Sequence, residues 1–183
     1  MLDIQAIADQ LPKDEPPPVG SWNPDFSGDL DMHIRRDGSW HYLGSPIKRQ
    51  RMVKLFATIL RHDADGRYYL VTPAEKFAIS VEDAPFQAVA MTVHGTGMDQ
   101  VLTFRTNVDD EVMAGPDHAL RVAIDPAIEE PSPYVHVRGR LEALINRATF
   151  YDLVELAVEE IRDGETHLGI WSAGVFFQIG IVS

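Results

Sequence analysis

An internal offset constrains this chain more than any other feature. Sliding the sequence by 98 residues places Ile47 on Ile145, Arg49 on Arg147, Leu55 on Leu153, Asp65-Gly66 on Asp163-Gly164 and Leu70 on Leu168 without a gap. Those six identities fall within the 35 aligned residues from Ile47 to Val81 and from Ile145 to Ile179. The apolar stripe of a helix superimposes as well, with Met52 on Phe150, Phe56 on Val154, Ile59 on Ala157 and Leu60 on Val158. A period this long exceeds any solenoid repeat, so the pattern predicts two copies of a strand, helix and two-strand unit. Chance likeness between two amphipathic helices is the competing explanation. With 183 residues, the chain has room for one large domain or two small ones.

Punctuation residues divide the sequence further. Leu2, Ile7, Ala8 and Leu11 recur at helical spacing until Pro12, and a stiff connector through Pro16-Pro17-Pro18 follows. From Trp22 the pattern is mostly β. Strands Met32–Arg36 and Ser39–Leu43 flank Asp37-Gly38, a dipeptide suited to a type I′ hairpin. Ser45-Pro46 reads as the N-cap and first residue of a helix running to about Arg61, with Met52, Leu55, Phe56, Ile59 and Leu60 facing inward. Strands are expected at Arg67–Thr72 and Phe77–Val81, then at Phe86–His94, Gln100–Thr106, His118–Ile124 and Tyr134–Ile145. A second helix spans about Arg147 to Arg162, with Phe150, Leu153, Val154, Ala157 and Val158 inward. The eighteen residues from Thr166 lack Asp, Glu, Lys and Arg, but β-branched and aromatic residues make them a closing strand pair rather than a membrane anchor. Residues 1–20 are thus expected to form a helix and connector, 21–83 a first α+β domain, and 84–183 a second domain.

Charge and composition exclude several functions. A formal charge of −12 opposes general nucleic-acid binding. Without cysteine the chain has no disulfide framework, thiolate metal site or thiol nucleophile. The N-terminus lacks the basic and apolar regions of a signal peptide, so a cytoplasmic location is expected. The average hides an asymmetry, however. Residues 35–76 carry nine basic and four acidic side chains, net +5, while the seven basic and 24 acidic residues elsewhere give −17.

The basic segment contains the best local candidate, Gly44-Ser45-Pro46-Ile47-Lys48-Arg49. A helix N-terminus favours anions, and cations placed beside it suit a bound phosphate. A solvated basic face paired with acidic neighbours is the other reading. Tyr134, His136 and Arg138 alternate onto one strand face, where they suit a planar anion or simply an exposed sheet surface. Thr106-Asn107 and Trp171-Ser172 offer polar and stacking groups that equally serve turns and packing. Catalytic signatures are mostly absent. No two of the seven histidines stand at i, i+4, and Asp109-Asp110-Glu111 lacks the spacing of a calcium loop. The glycines of His94-Gly95-Thr96-Gly97 fit neither a dinucleotide nor a phosphate loop, and there is no Gly-x-Ser-x-Gly elbow.

Longer stretches carry a resemblance. Trp22-Asn23-Pro24, Ile34-x-x-Asp37-Gly38-x-Trp40-x-Tyr42-x-Gly44-Ser45-Pro46-Ile47-x-Arg49 and Val53-x-Leu55-Phe56 resemble the opening of the bacterial family named domain of unknown function twelve-eighty-five. The likeness continues through Tyr69-Leu70-Val71-Thr72-Pro73-x-Glu75-Lys76, Val81-Glu82-Asp83-Ala84-Pro85-Phe86, Thr106-Asn107, Pro133-Tyr134-Val135 and Phe150-Tyr151-x-Leu153-Val154-Glu155-Leu156. It implies an α+β protein with a duplicated core, a C-terminal half like a pleckstrin-homology domain, a nucleotide-like ligand between the domains, and a role in bacterial signal transduction. Arg49, Thr72, Glu75, Lys76, Glu82 and Asn107 lie within its motifs as candidate interface or pocket residues.

The sequence thus leads to a fold class of two duplicated β-rich α+β domains, each with one packed helix, the second a pleckstrin-homology-like barrel, plus an N-terminal helix. The expected function is non-enzymatic binding of a small nucleotide-like or phosphate-bearing anion between the domains, without cofactor, metal or membrane span. Lys48, Arg49, Thr72, Glu75, Lys76, Asn107, Tyr134, Arg138 and Trp171 are the candidate ligand residues. Arg49 and Lys76 would neutralise charge, Thr72 and Asn107 would hydrogen-bond, and Tyr134 or Trp171 would stack. The alternative is a protein-interaction module presenting a sheet edge or groove to a peptide. A metal-assisted hydrolase using Asp109, Asp110 or Glu111 is a third reading.

Overall fold

The computed structural model describes Ala6, Asp9, Leu11 and residues 15–182. The predicted N-terminal helix lies outside the described residues except at Ala6 and Asp9, which are helical, and at buried Leu11, which lies in a bend. The chain forms two compact units, residues 1–85 and 86–183.

In the first unit a single helical turn at Val19–Ser21 precedes strands β1 (Phe26–Ile34), β2 (Trp40–Tyr42) and β3 (Ser45–Pro46). Helix α1 (Gln50–Thr58) follows, then β4 (Leu60–His62), β5 (Tyr68–Val71) and β6 (Lys76–Val81). The sheet order is β3-β2-β1-β6-β5-β4. Only β1 and β6 run parallel; the other pairs are antiparallel. Two three-stranded meanders are therefore joined side by side, the first strand of one against the last strand of the other.

One face of β1 and β2 is apolar because Met32, Ile34 and Trp40 share it, and all three are buried. Helix α1 supplies the opposing layer through Val53, Phe56 and Ala57. The Trp40 and Phe56 rings stack with centroids 6.3 Å apart and planes 21° apart. Burying side chains of this size stabilises the unit by about 1.5–3 kcal/mol each.

The helix begins later than its sequence suggests. Leu43 and Gly44 both adopt positive φ, 49° and 79°, and turn the chain back so that Ser45 and Pro46 pair with Tyr42 and His41. The Ile47 amide donates to the Trp40 carbonyl, which keeps the chain extended up to Lys48. Pro46 is consequently a strand residue and Ser45 is no cap. The preceding turn also differs from expectation. Gly38 alone has positive φ, and the Gly38 amide donates to the Arg35 carbonyl, so Asp37-Gly38 closes a type I turn with a glycine bulge.

The second unit opens with β7 (Phe86–His94), a single helical turn at Gly97–Asp99, β8 (Val101–Thr106) and β9 (Glu111–Met113). Next come β10 (Leu120–Ile124), β11 (Pro131–Arg138), β12 (Leu141–Ile145) and helix α2 (Arg147–Glu155). This sheet has the order β10-β11-β12-β7-β8-β9, with β12 and β7 parallel. Its topology repeats that of the first sheet: two meanders, the first strand of one beside the last strand of the other. The curled sheet fits a pleckstrin-homology-like half-barrel. Its core holds Phe86, Ala88, Leu102, Phe104, Val135, Leu141 and Ala143. The stretch predicted as one strand, Tyr134–Ile145, is a hairpin broken at Gly139, where φ is 52°.

After α2 come β13 (Val158–Arg162), β14 (Glu165–Ser172) and β15 (Val175–Val182), an antiparallel three-stranded sheet. The second helix therefore ends seven residues before the predicted Arg162. Helix followed by three-stranded meander occurs at α1-β4-β5-β6 and again at α2-β13-β14-β15, which is the structural content of the 98-residue offset. The β14–β15 turn is fastened to the rest of its unit. Buried Ser172 donates through Oγ to the Ala114 carbonyl at 2.7 Å and accepts from the Leu102 amide at 2.9 Å. Gln100 Nε2 donates to the Trp171 carbonyl, and the Ala173 amide donates to the Gln100 carbonyl. The uncharged tail is thus strand, as its β-branched composition requires. No helix among the described residues is long and apolar enough to cross a membrane.

Candidate functional site

The two helices start differently, and the difference bears on anion binding. Helix α2 is capped by Asn146, whose Oδ1 accepts the Thr149 amide at 2.9 Å. Helix α1 has Arg49 at its N-cap position, with extended backbone and no side-chain cap. Lys48 and Arg49 are exposed and precede the first helical turn rather than lying in it. Neither has a carboxylate partner among the described residues, and Arg51, also exposed, has none there either. Cations there lie beside the positive end of the helix dipole, a position that favours an anion.

Four other basic residues of the first unit are occupied. Lys76 Nζ lies 2.7 Å from Asp63 Oδ2 and 4.1 Å from the Tyr69 ring centroid. Arg61 holds the same carboxylate in a fork, Nε to Oδ1 at 2.6 Å and Nη2 to Oδ2 at 3.1 Å. Its Nη1 donates to the carbonyls of Val19 and Trp22, which anchors the first helical turn to β4. Arg67 pairs with Asp29 at 2.6 Å and lies 5.7 Å from both the Phe26 and Tyr69 rings. Arg36 pairs with Asp83, and its amide donates to Glu82.

These contacts set the local titration. Burial pushes the Asp63 carboxyl up, but hydrogen bonds from Arg61 and Lys76, together with their charges, outweigh it and hold it below its ordinary value. The Tyr69 hydroxyl donates to Asp65, which lowers the carboxyl and raises the phenol. The Ser39 hydroxyl and amide likewise lower Asp37.

Thr72 and Glu75 share the β5–β6 turn with Lys76. Buried Thr72 accepts the Ala74 and Glu75 amides on Oγ1 at 3.3 and 3.0 Å, so its hydroxyl shapes the turn. Glu75 is half-buried, and its side chain has no partner among the described residues.

In the second unit each candidate is again engaged. Asn107 Oδ1 accepts the Gln87 amide at 3.0 Å, and the Asn107 amide donates to the Gln87 carbonyl at 2.9 Å. Arg138 donates to Asp110 at 3.0 Å and lies over the Phe86 ring at 5.3 Å. Tyr134 is buried under Arg121, whose guanidinium is 4.2 Å from the ring centroid and grips Glu142 through two bonds. His136 packs against His118, with ring centroids 5.4 Å apart. The expected trio of Tyr134, His136 and Arg138 therefore separates into three distinct pairings. Trp171 Nε1 donates to Glu160 at 2.9 Å, and the Phe176 edge meets its ring at 5.4 Å.

Six of the nine candidates thus have structural partners, while Lys48, Arg49 and Glu75 retain unengaged side chains among the described residues. Sequence patterns missed Arg61, Asp63, Tyr69, Arg121 and Glu142. The Arg61-x-Asp63 alternation on one strand face was the available signal for the first pair. Asp109 and Asp110 face Arg105 and Arg138 rather than converging. No group of three or more His, Asp or Glu side chains is placed to hold a metal ion among the described residues.

Comparisons place the chain among known sequences and structures. Residues 17–84 match the domain of unknown function (DUF1285), N-terminal domain, and residues 85–179 match the protein of unknown function (DUF1285), C-terminal domain. A DUF1285 family protein from Silicibacter pomeroyi DSS-3 has a crystal structure 51% identical to this chain, with a TM-score of 0.89 over 98% of this chain and 95% of that one. A DUF1285 family protein from Shewanella baltica OS155 is 27% identical, with a TM-score of 0.54 over 69% of this chain and 91% of that one. No curated protein matches the chain.

Proposed function

The chain belongs to the DUF1285 family, and from that premise we propose that it binds a small phosphate-bearing or nucleotide-like anion without transforming it, as a ligand sensor in signal transduction. The observation that carries this reading is the contrast between the two helix starts. Where α2 has Asn146 satisfying its first turn, α1 has no side-chain cap and is approached by unpaired Lys48 and Arg49. A phosphate there would accept from helix amides and meet both cations, so charge and hydrogen bonding act on the same group.

Most of the remaining candidates hold structural contacts within their own units. Thr72, Lys76 and their partners fix the β5–β6 turn, and Asn107, Tyr134, Arg138 and Trp171 fix strands and turns of the second unit.

A screen of nucleotides and phosphate esters by thermal unfolding tests this function. A ligand that binds only the folded state at a hundred times its dissociation constant adds about 2.7 kcal/mol, or about 5–10 °C for a chain of this size. The gain should disappear in Arg49→Ala. A flat response across the screen would reject the reading.

A further inference from the structure

No two histidines share a helical spacing in this chain, yet the fold of the second unit brings two of them together. His118 and His136 are 18 residues apart, and their Nδ1 atoms lie 3.4 Å from each other. The rings tilt by 32° with centroids 5.4 Å apart, so they meet edge to edge rather than by stacking. Both side chains are half-buried, which leaves the contact within reach of solvent.

The backbone fixes both partners. His136 is in β11, where its amide donates to the Ala119 carbonyl at 3.0 Å. His118 is bridged to Gly115 by two backbone bonds of 3.0 and 3.2 Å. Further contacts orient the rings. His136 Nε2 is 2.7 Å from the Gly139 carbonyl. A carbonyl only accepts, so the proton of neutral His136 is on Nε2 and a lone pair is left on Nδ1, facing His118. Metal-binding histidines are held in this manner, the second ring nitrogen donating to a carbonyl while the first presents its lone pair.

The spacing selects a coordination geometry. Two imidazole nitrogens bound to zinc at about 2.0–2.1 Å stand about 3.3–3.4 Å apart at a tetrahedral angle, and about 2.9 Å apart at the right angle of an octahedral ion. The observed 3.4 Å matches the tetrahedral case.

We propose that His118 and His136 bind one zinc ion through their Nδ1 atoms. The His118 Nδ1 proton, drawn toward the His136 carbonyl at 3.1 Å, moves to Nε2, which has no partner among the described residues. Both rings are then neutral with protonated Nε2, and no net proton leaves the pair. Glu142, opposite His136 on β12, is committed to Arg121 by two bonds, so water fills the remaining positions on the ion. Charge favours a cation here. Residues 86–183 carry six basic and 15 acidic side chains, net −9. Arg121 and Arg138, on β10 and β11, are already neutralised by Glu142 and Asp110. With two protein ligands the site is open and weaker than a closed four-ligand centre. The inference concerns the second unit alone and does not depend on anion binding at α1.

Calorimetric titration of the full chain, without an affinity tag, with zinc chloride tests the proposal. The wild type should take up one equivalent. Loss of an outer-shell partner already costs about 10–100-fold in metal affinity, so His118→Ala and His136→Ala should each weaken binding at least that much. His94→Ala, at an exposed histidine outside the pair, should bind as the wild type does. Histidine-selective nitrogen NMR of the wild type gives a second readout that needs no variant to fold. Zinc should shift the Nδ1 resonances of His118 and His136 and leave both Nε2 atoms protonated. No uptake at millimolar zinc would overturn the proposal. So would undiminished affinity in either folded pair variant, or zinc-dependent shifts confined to other histidines.

Discussion

Lys76 Nζ lies 2.7 Å from Asp63 Oδ2, and that ion pair separates occupied from unoccupied charge in the first unit. Arg61 grips the same carboxylate from the other side, so Asp63 is the centre of a small network that ties β4 to β6 and to the chain before β1. Among the cations outside that network, Lys48, Arg49 and Arg51 gather at the start of α1. One positively charged segment in the sequence thus contains two populations, one structural and one available for a ligand.

The Asp63 network makes stability depend on acid pH. Its carboxyl titrates lower in the folded chain than in the unfolded one. Between those two values the unfolded state holds more protons, so stability rises with pH and is complete above about pH 4. It is lost as pH falls through the folded value. Thermal unfolding from pH 2 to 7 should show this acid limb, and Asp63→Asn should flatten it. At neutral pH that variant should cost about 1–3 kcal/mol, because Arg61 and Lys76 lose a shared charged acceptor.

The helix starts should respond oppositely to capping changes. Asn146→Ala removes the Thr149 cap and should destabilise the chain by about 1 kcal/mol. Arg49→Asn installs a capping group where the extended backbone of Arg49 suits one, and should stabilise by about 0.5–1 kcal/mol. The same change should weaken any phosphate ligand, since it removes a cation and fills the amides. Denaturant unfolding with and without ligand reads both effects, and a stabilised variant with undiminished binding would move the site away from α1.

Ser172→Ala should be costly for so small a change. The hydroxyl serves two backbone groups in a site of zero exposure. Removing it leaves the Leu102 amide and the Ala114 carbonyl unsatisfied, at about 1–3 kcal/mol. Hydrogen exchange should show the loss concentrated at the Leu102 amide.

Several elements were legible because local chemistry decides them. The β7 strand and the tail strands follow from β-branched and aromatic composition, and the 98-residue offset corresponds to a repeated helix and meander. Other elements depended on distant partners. Phe150, Leu153, Val154, Ala157 and Val158 keep helical spacing into β13, so periodicity alone extends the helix through residues that pair instead with β14. Ser45-Pro46 carries the chemistry of a helix start, but pairing with Tyr42 and His41 overrides it. At the site, the residue types were visible and their commitments were not. Lys76 meets Asp63 thirteen residues away, Arg138 meets Asp110 across 28, and Trp171 meets Glu160 across 11. No spacing rule covers such pairs, because register and turn geometry bring them together.

The central claim is that Lys48 and Arg49 at the uncapped start of α1 hold a phosphate-bearing ligand. Titration of the full chain with the best nucleotide from the screen, followed by calorimetry in the wild type and in Arg49→Ala, tests it most directly. Saturable binding that falls at least about tenfold in the variant, as loss of a charged hydrogen bond predicts, would agree with the account. Equal binding by both proteins, or none by the wild type at millimolar nucleotide, would contradict it.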